Sequence, residues 1–213
     1  MEAHVITLIG DEYSERVADR CIASANIPVK KFAACTGREA ASLMAQYGLR
    51  WTWGDGYRGM EHKPYGGNNN NRIGCFLSHY ELWRDCVRDN EDYLILEHDA
   101  VFVRPFNEFE FESACMINDP LGATPRGDWW HEQMVSRGPG VWPKTRVFDD
   151  TRPDGLAGGS AYVIKPETAR RLVDFAHRIG AWPNDALLCR QLVYGLQEHY
   201  PFITQVEPEK STI

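Results

Sequence analysis

Two carboxylates with one residue between them end an apolar run in LILEHDAVF, residues 94–102. Burying Glu97 and Asp99 at a strand end costs free energy unless a partner compensates the charges. Both side chains can reach one point from there, with His98 directed elsewhere. Two hard oxygen donors suit Mg²⁺ or Mn²⁺, which usually bind one or two carboxylates together with substrate phosphates. A turn with solvated carboxylates is the alternative interpretation.

A serine and a histidine precede the acidic run on a predicted helix. The segment IGCFLSHYELWRDCVRDN, residues 73–90, has the apolar period of an amphipathic helix and carries Ser78 and His79. A single histidine on a helix is more often a satisfied structural residue than a ligand. A structural role is therefore the alternative to a role in a site.

The elements that would position these residues begin as alternating strands and helices. In order, we predict a strand at residues 5–9, a helix within 10–25 capped by Asp11 or Ser14, a strand at 29–33 and a helix within 38–48 ended by Gly48. Two β-then-α units in succession predict an α/β fold with a mostly parallel central sheet. Such sheets bind ligands at the carboxyl ends of their strands, where Glu97 and Asp99 are expected.

The second half of the chain is less regular. We predict a central strand at 91–103, a short helix at 107–117 capped by Asn107, a strand near 129–135, a strand at 161–164, a helix begun by Pro166, a helix at 182–195 capped by Asn184 or Asp185, and a last strand at 201–208. Cysteines stand at six scattered positions without a C-x-x-C pair. We expect them to be buried reduced thiols.

Two irregular stretches are expected to form the rims of an active site, because long loops inside compact domains are usually functional or disordered. They are residues 48–72 and 136–158. The aromatic residues of the first stretch are either packing anchors or a platform for a sugar or base, and they are Trp51, Trp53, Tyr57 and Tyr65. The asparagine run 68–71 is interpreted as a turn.

Composition narrows the class of protein. The 213 residues predict one domain, residues 1–213, and the net charge of −7 argues against non-specific affinity for nucleic acid. No run approaches the ~20 apolar residues of a membrane span. The apolar run 5–9 is too short for a signal peptide. We expect a cytoplasmic protein, at most peripheral to a membrane.

Four stretches taken together resemble glycosyltransferase family 25, the lipooligosaccharide glycosyltransferases and procollagen galactosyltransferases. They are VITL followed by a helix with arginines, IGCFLSHYELW, similar to the family's G-C-x-x-S-H helix, YLILEHDAVF, similar to its I-L-E-D-D-V strand, and GGSAYVIKPETARRLV. WPNDALL is a weaker match to the family's P-x-D. The resemblance implies a GT-A-like nucleotide-binding sandwich and inverting transfer of a hexose from a nucleotide sugar, with UDP-galactose or UDP-glucose favoured.

The resemblance also implies roles for particular residues. Glu97 and Asp99 would hold Mn²⁺ or Mg²⁺, which neutralises the leaving diphosphate as a Lewis acid. Inversion needs a base for the acceptor hydroxyl. Asp185 is the candidate base, since it stands at a predicted helix start, and an N-cap is its alternative role. Asp149, Asp150 and Asp154 are the other carboxylates considered as the base.

Further candidates surround the implied donor site. Ser78 and His79 would lie near the nucleotide sugar, with His79 either orienting the acidic motif or contacting the donor. His199 would be a third metal ligand. The other candidates are Arg16 and Arg20, which would pair with the diphosphate or be solvated, and Gly158, Gly159 and Ser160, where substrate would approach the backbone or the chain would turn.

Two departures from the family pattern qualify the assignment. His98 replaces the family's middle Asp, and Arg72 replaces a Glu before I-G-C. A metal-dependent phosphoester hydrolase and a degenerate nucleotide-sugar-binding module are the competing functions. The acceptor is expected to be a glycan hydroxyl, as in lipopolysaccharide biosynthesis, with a protein hydroxyl or a modified nucleobase as alternatives.

Overall fold

A computed structural model describes residues 1–63, 69–121, 126–146, 150–156 and 159–207. The predictions on Tyr65, Asn68, Asp149 and Gly158 lie outside these ranges. The described elements are β1 (Glu2–Thr7), α1 (Glu12–Ser24), β2 (Lys30–Ala33), α2 (Ala40–Gln46), α3 (Asn70–Asp89), β3 (Tyr93–Glu97), β4 (Ala100–Phe102), β5 (Ala114–Met116), α4 (Gly127–Arg137), β6 (Gly140–Pro143), β7 (Ala161–Ile164), α5 (Pro166–Arg178), α6 (Asn184–Leu187), β8 (Leu196–Tyr200) and β9 (Thr204–Val206).

Seven strands form a central sheet in the order β2-β1-β3-β7-β5-β8-β6. Strand β1 is parallel to β2 and β3, and β5 is parallel to β8. Strand β7 is antiparallel to both β3 and β5, and β6 is antiparallel to β8. The predicted α/β, GT-A-like sandwich is confirmed. Because β1, β2 and β3 are parallel, their carboxyl ends meet at one edge of the sheet.

The core lies on both faces of this sheet. Tyr93 and Ile95 of β3 belong to one apolar cluster with Trp83 of α3, and Leu94 belongs to the cluster on the opposite face with Cys21 of α1. A strand buried on both faces needs a continuous apolar run, which explains YLIL. Each large side chain contributes roughly 1.5–3 kcal/mol by burial. No helix in the described ranges is both long enough and apolar enough to cross a membrane.

Several sequence signals mark the element ends as predicted. Asp11 caps α1, since its Oδ1 accepts the Ser14 N–H at 2.8 Å, while the Ser14 hydroxyl accepts the Leu8 N–H at 2.9 Å. Pro166 begins α5, which packs against α3. All six cysteines are free thiols, as expected.

The acidic run is not one strand, which corrects the prediction for residues 91–103. Strand β3 ends at Glu97, His98 and Asp99 form a turn, and β4 leaves the central sheet to pair with β9. The sheet change requires β9, which lies a hundred residues away in the chain. A local pattern therefore cannot reveal it.

Three other predicted elements are wrong. The segment 107–117 holds β5 instead of a helix, and Asn107 caps nothing, because Asn26 clamps the neighbouring backbone through Phe106 N at 2.7 Å and Phe106 O at 2.9 Å. Residues 129–135 belong to the helix α4. The helix predicted at 182–195 is shortened to α6, and β8 was not predicted.

The aromatic residues in the first irregular stretch pack against each other. The Trp53 ring stacks on His62 with centroids 4.4 Å apart, and Trp182 meets both Trp53 and Tyr57 edge-on. Trp51 packs edge-on against Phe76. These aromatic residues act as packing anchors and not as a platform for a sugar or base, because one face of the Trp53 ring is already covered.

Candidate active site

A cleft of about 360 Å³ opens at the carboxyl ends of β1, β2 and β3. The acidic turn and the polar side of α3 form one wall, and the loop after β2 forms the other. Its lining side chains with chemical functions are Cys35, Thr36, Arg38, Asn71, Cys75, Ser78, His79, Glu97, His98 and Asp99. The fold thus brings Ser78 and His79 into the same cleft as the acidic turn, as predicted.

Glu97 ends β3 with its carboxylate toward the cleft. Its Oε1 lies 3.4 Å from His79 Nε2 and 3.9 Å from Cys75 Sγ, and its Oε2 lies 3.3 Å from Ser160 Oγ. Burial acts to raise the pKa of Glu97, but its interactions with His79, His98 and Ser160 together outweigh burial and the net shift is downward. Glu97 is therefore held as a carboxylate.

The G-C-x-x-S-H spacing divides into two helical pairs. Gly74 and Ser78 face the loop after β2: a β-carbon on Gly74 would lie 2.7 Å from Cys35 O, and the Ser78 hydroxyl accepts the Cys35 N–H at 2.9 Å while donating to Gly74 O at 2.9 Å. Cys75 and His79, also four residues apart, face Glu97. Ser78 is buried and its hydroxyl is engaged in holding α3 to that loop.

Cys75, His79 and Glu97 converge. In the described ranges they are the one group of three histidine, cysteine or acidic residues whose ligand atoms all lie within 4.8 Å of one another. The Cys75 thiol also lies 3.6 Å from Asn184 Oδ1. Burial, followed by the charges of Glu97 and Asp185, raises the pKa of Cys75 well above its usual value. The Cys75 side chain is thus a neutral thiol in this environment.

Behind His79 lies a buried polar pair. The His79 Nδ1 atom is 2.8 Å from the Tyr162 hydroxyl, which accepts the indole N–H of Trp83 at 2.9 Å. All three side chains are inaccessible to solvent. Neither Tyr162 nor Trp83 was singled out from the sequence, because each falls at an apolar position of its element and is expected there for packing alone.

Asp99 occupies the turn between β3 and β4. Its backbone oxygen accepts the Glu207 N–H at 3.0 Å, but its Oδ1 is buried and accepts no hydrogen bond from another described residue. Burial and then the charge of Glu97 raise the pKa of Asp99 to about 7. A buried oxygen without a donor, beside a second carboxylate, fits a hard divalent cation. His98 points toward α1, with its ring edge against Tyr13.

Asp185 stands in the first turn of α6 but does not cap it, because the cap position is Pro183 and no side chain bonds there. The residue is exposed, yet the surrounding protein removes enough water to raise the pKa of Asp185, and the charge of Glu97 acts in the same direction. Gly159 lies beside it, with its β-carbon position 3.8 Å from Asp185 Cβ. The charge of Glu97 therefore influences the protonation of Asp185.

The other carboxylates considered as bases are engaged elsewhere. Asp154 is fully buried with Lys144 at 3.6 Å and Arg190 at 3.1 Å, and Asp150 pairs with Arg190 at 2.6 Å. These ion pairs hold the described part of the second irregular stretch against the residues that follow α6.

The two predicted arginines, for which solvation was the alternative to diphosphate pairing, both lie on α1. Arg16 is exposed and lies over the Tyr13 ring at 5.4 Å, and Arg20 pairs with Glu207 at 2.8 Å. Neither lines the cleft, whereas Arg38 does. Arg38 is the cation that sequence reasoning missed, and its position in the loop after β2 was the available signal.

The prediction that His199 is a third metal ligand is corrected by its position in the fold. It lies on β8, three strand spacings from β3, or roughly 14 Å at about 4.8 Å per spacing. Its Nδ1 bonds to Pro201 O at 2.9 Å and its ring packs on Phe109. Metal ligands lie about 2.0–2.6 Å from their ion, so His199 cannot share one with Glu97.

A family described as glycosyltransferase family 25 (LPS biosynthesis protein) matches residues 2–120, more than half of the chain. No curated protein matches. The matched residues include the acidic turn, α3 and every lining residue of the cleft. The chain belongs to glycosyltransferase family 25 and is a glycosyltransferase.

Proposed function

We propose that this glycosyltransferase is metal-dependent and transfers a hexose, with inversion, from UDP-galactose or UDP-glucose to a glycan hydroxyl. The observation that carries the metal is Asp99 Oδ1, a buried oxygen without a hydrogen-bond donor beside Glu97. A bound Mn²⁺ or Mg²⁺ would supply the charge that a leaving nucleoside diphosphate requires.

The donor belongs in the cleft between the loop after β2 and the acidic turn. Arg38 is exposed there and forms no ion pair with another described side chain. A guanidinium in that state is suited to two phosphate oxygens at once. Thr36 on the same loop and Asn71 on α3 add neutral polar groups to the cleft lining.

Asp185 is the proposed base. In an inverting transfer the acceptor oxygen attacks the anomeric carbon, the bond from that carbon to the diphosphate oxygen breaks, and the acceptor proton passes to the base. Asp185 is an exposed carboxylate with no ion pair to another described residue, and its raised pKa favours taking a proton. Gly159, beside it, leaves room for a sugar to approach the backbone.

Thermal unfolding with nucleotide sugars tests the proposal. UDP-galactose or UDP-glucose at a hundredfold excess over Kd should add about 2.7 kcal/mol of stability, and only with Mn²⁺ or Mg²⁺ present. Asp99→Asn should abolish the metal-dependent part. His199→Ala, a histidine variant outside the site, should retain it. A shift of equal size without metal would contradict metal dependence.

Product analysis separates transfer from hydrolysis. Adding an oligosaccharide acceptor should raise the release of UDP above the rate without acceptor. The new glycosidic bond should have the anomeric configuration opposite to that of the donor. UDP release that does not depend on acceptor would instead favour a hydrolase.

A further inference from the structure

The Tyr162 hydroxyl has two polar neighbours in the described structure, Trp83 Nε1 at 2.9 Å and His79 Nδ1 at 2.8 Å. All three side chains are fully buried, so water does not compete for these contacts. The directions of the two hydrogen bonds can therefore be assigned from what each group is able to donate and accept.

The indole nitrogen can only donate, so the Tyr162 oxygen accepts from Trp83. The single hydroxyl proton of Tyr162 then has one acceptor left among the described groups, Nδ1 of His79. A buried hydroxyl proton without an acceptor is strongly disfavoured. His79 Nδ1 must therefore offer a lone pair.

In a neutral imidazole one nitrogen accepts and the other carries the proton. Since Nδ1 accepts, Nε2 carries the proton, and Nε2 is the atom that lies 3.4 Å from Glu97 Oε1. We infer that Trp83, Tyr162 and His79 form a buried hydrogen-bond relay that fixes His79 as an N–H donor to Glu97. His79 is thus a positioning residue for this carboxylate, and only the metal-binding role of Glu97 rests on the proposed function.

The same atoms could be taken for a zinc site, since Cys75, His79 and Glu97 supply sulfur, nitrogen and oxygen. A metal on Nε2 would need the lone pair there and would move the proton to Nδ1. Tyr162 would then accept twice and its own proton would have no described acceptor. The relay satisfies every one of these polar groups and the zinc site does not.

The tautomer can be measured directly on the metal-free protein. Long-range ¹H–¹⁵N spectra of protein labelled at its seven histidines should show a protonated Nε2 and an unprotonated Nδ1 for the resonance that disappears in His79→Gln. The opposite tautomer would overturn the relay. Thiolate-to-cobalt absorption on adding Co²⁺, lost in Cys75→Ser, would also overturn it.

The relay also predicts a particular pattern of metal affinity. Tyr162→Phe should weaken Mn²⁺ binding about 10-fold, as partners of ligand residues often do. In a His79→Gln background it should have no further effect, because the Gln amide donates to Glu97 without help from Tyr162. Equal losses in both backgrounds would mean that Tyr162 acts only through packing, and the relay would be overturned.

Tyr80→Phe is the matched control. Tyr80 is equally buried on α3 and bonds to a histidine, His177, at 2.9 Å, on the side of the helix away from the acidic turn. Its loss should leave Mn²⁺ affinity unchanged. A wild-type protein that takes no Mn²⁺ would overturn the proposed function, and the tautomer of the metal-free protein would still decide the relay.

Discussion

The backbone of Gly155 touches the backbone of Asp185: a β-carbon on Gly155 would lie 1.8 Å from the Asp185 carbonyl oxygen. Gly155 also forms a bridge with Cys189, just beyond α6. No side chain fits between the two segments. The position of the candidate base is therefore set by a contact that only glycine permits.

Gly155→Ala should lower the free energy of unfolding by about 1–3 kcal/mol, because the segments must separate. It should also reduce transfer, since Asp185 moves with α6. Gly159→Ala is the control: its β-carbon would meet Asn184 and Asp185 at ordinary distances of 3.6 and 3.8 Å, and it should change stability by less than about 0.5 kcal/mol. Urea unfolding of both variants measures the difference.

Asp185→Asn should lower kcat about 10²–10⁴-fold, because it removes the group that takes the acceptor proton. The donor-induced thermal shift should be retained, since Asp185 does not line the donor cleft. Loss of the shift together with activity would place Asp185 in donor or metal binding instead.

Asp99 gives the metal-free protein a pH dependence. Its folded pKa of about 7 lies above the unfolded value near 3.9, so the folded state favours the protonated form, and this contribution is lost as pH rises from about 4 to 7. Asp99→Asn cannot ionise. Its stability relative to wild type should therefore rise over that window, by about 4 kcal/mol, and then level off. Denaturation at several pH values checks this, and a constant difference would refute it.

Lys144 should be important for stability rather than for transfer. Its ammonium is buried, lies 3.4 Å from Glu198 and 3.6 Å from Asp154, and sits over the Trp130 ring. Lys144→Met leaves Glu198 buried without a cation and Asp154 with Arg190 alone. It should cost about 3–5 kcal/mol in the free energy of unfolding.

Arg171→Met is the control for Lys144. Arg171 pairs with Glu167 at 3.3 Å, but both side chains are more than half exposed. Loss of an exposed pair should cost less than about 1 kcal/mol. Comparable losses from the two variants in guanidinium unfolding would show that the buried lysine is not held by its partners as described.

Local patterns were sufficient for the elements that place α3 beside β3. The caps, glycines and apolar periods of residues 1–48 predict two β-then-α units, and the run YLIL predicts a strand buried on both faces. The placement of His79 beside the acidic turn, and of Ser78 in the same cleft, then follows from the parallel arrangement of β1, β2 and β3.

Long-range pairing decided what local patterns missed. Aromatic and β-branched residues near Trp130 suggested a strand, yet they lie on α4, where Trp130 donates to the buried Glu198 at 2.9 Å. His199 is of a residue type that often binds metals, but the order of the strands in the sheet places it far from Glu97. Tyr162 is the opposite case: it stands at an apolar position of its strand, so the sequence did not indicate its polar contact with His79.

The switch of sheets at the acidic turn has a consequence for how the gene can be divided. Strand β3 needs β7, β4 needs β9, and the turn between them is tied to Glu207. A fragment ending at residue 120 would contain every cleft residue but would leave both strands with open edges. The two halves of this protein therefore cannot be exchanged separately between homologues. The junctions of a chimera should lie outside residues 2–207.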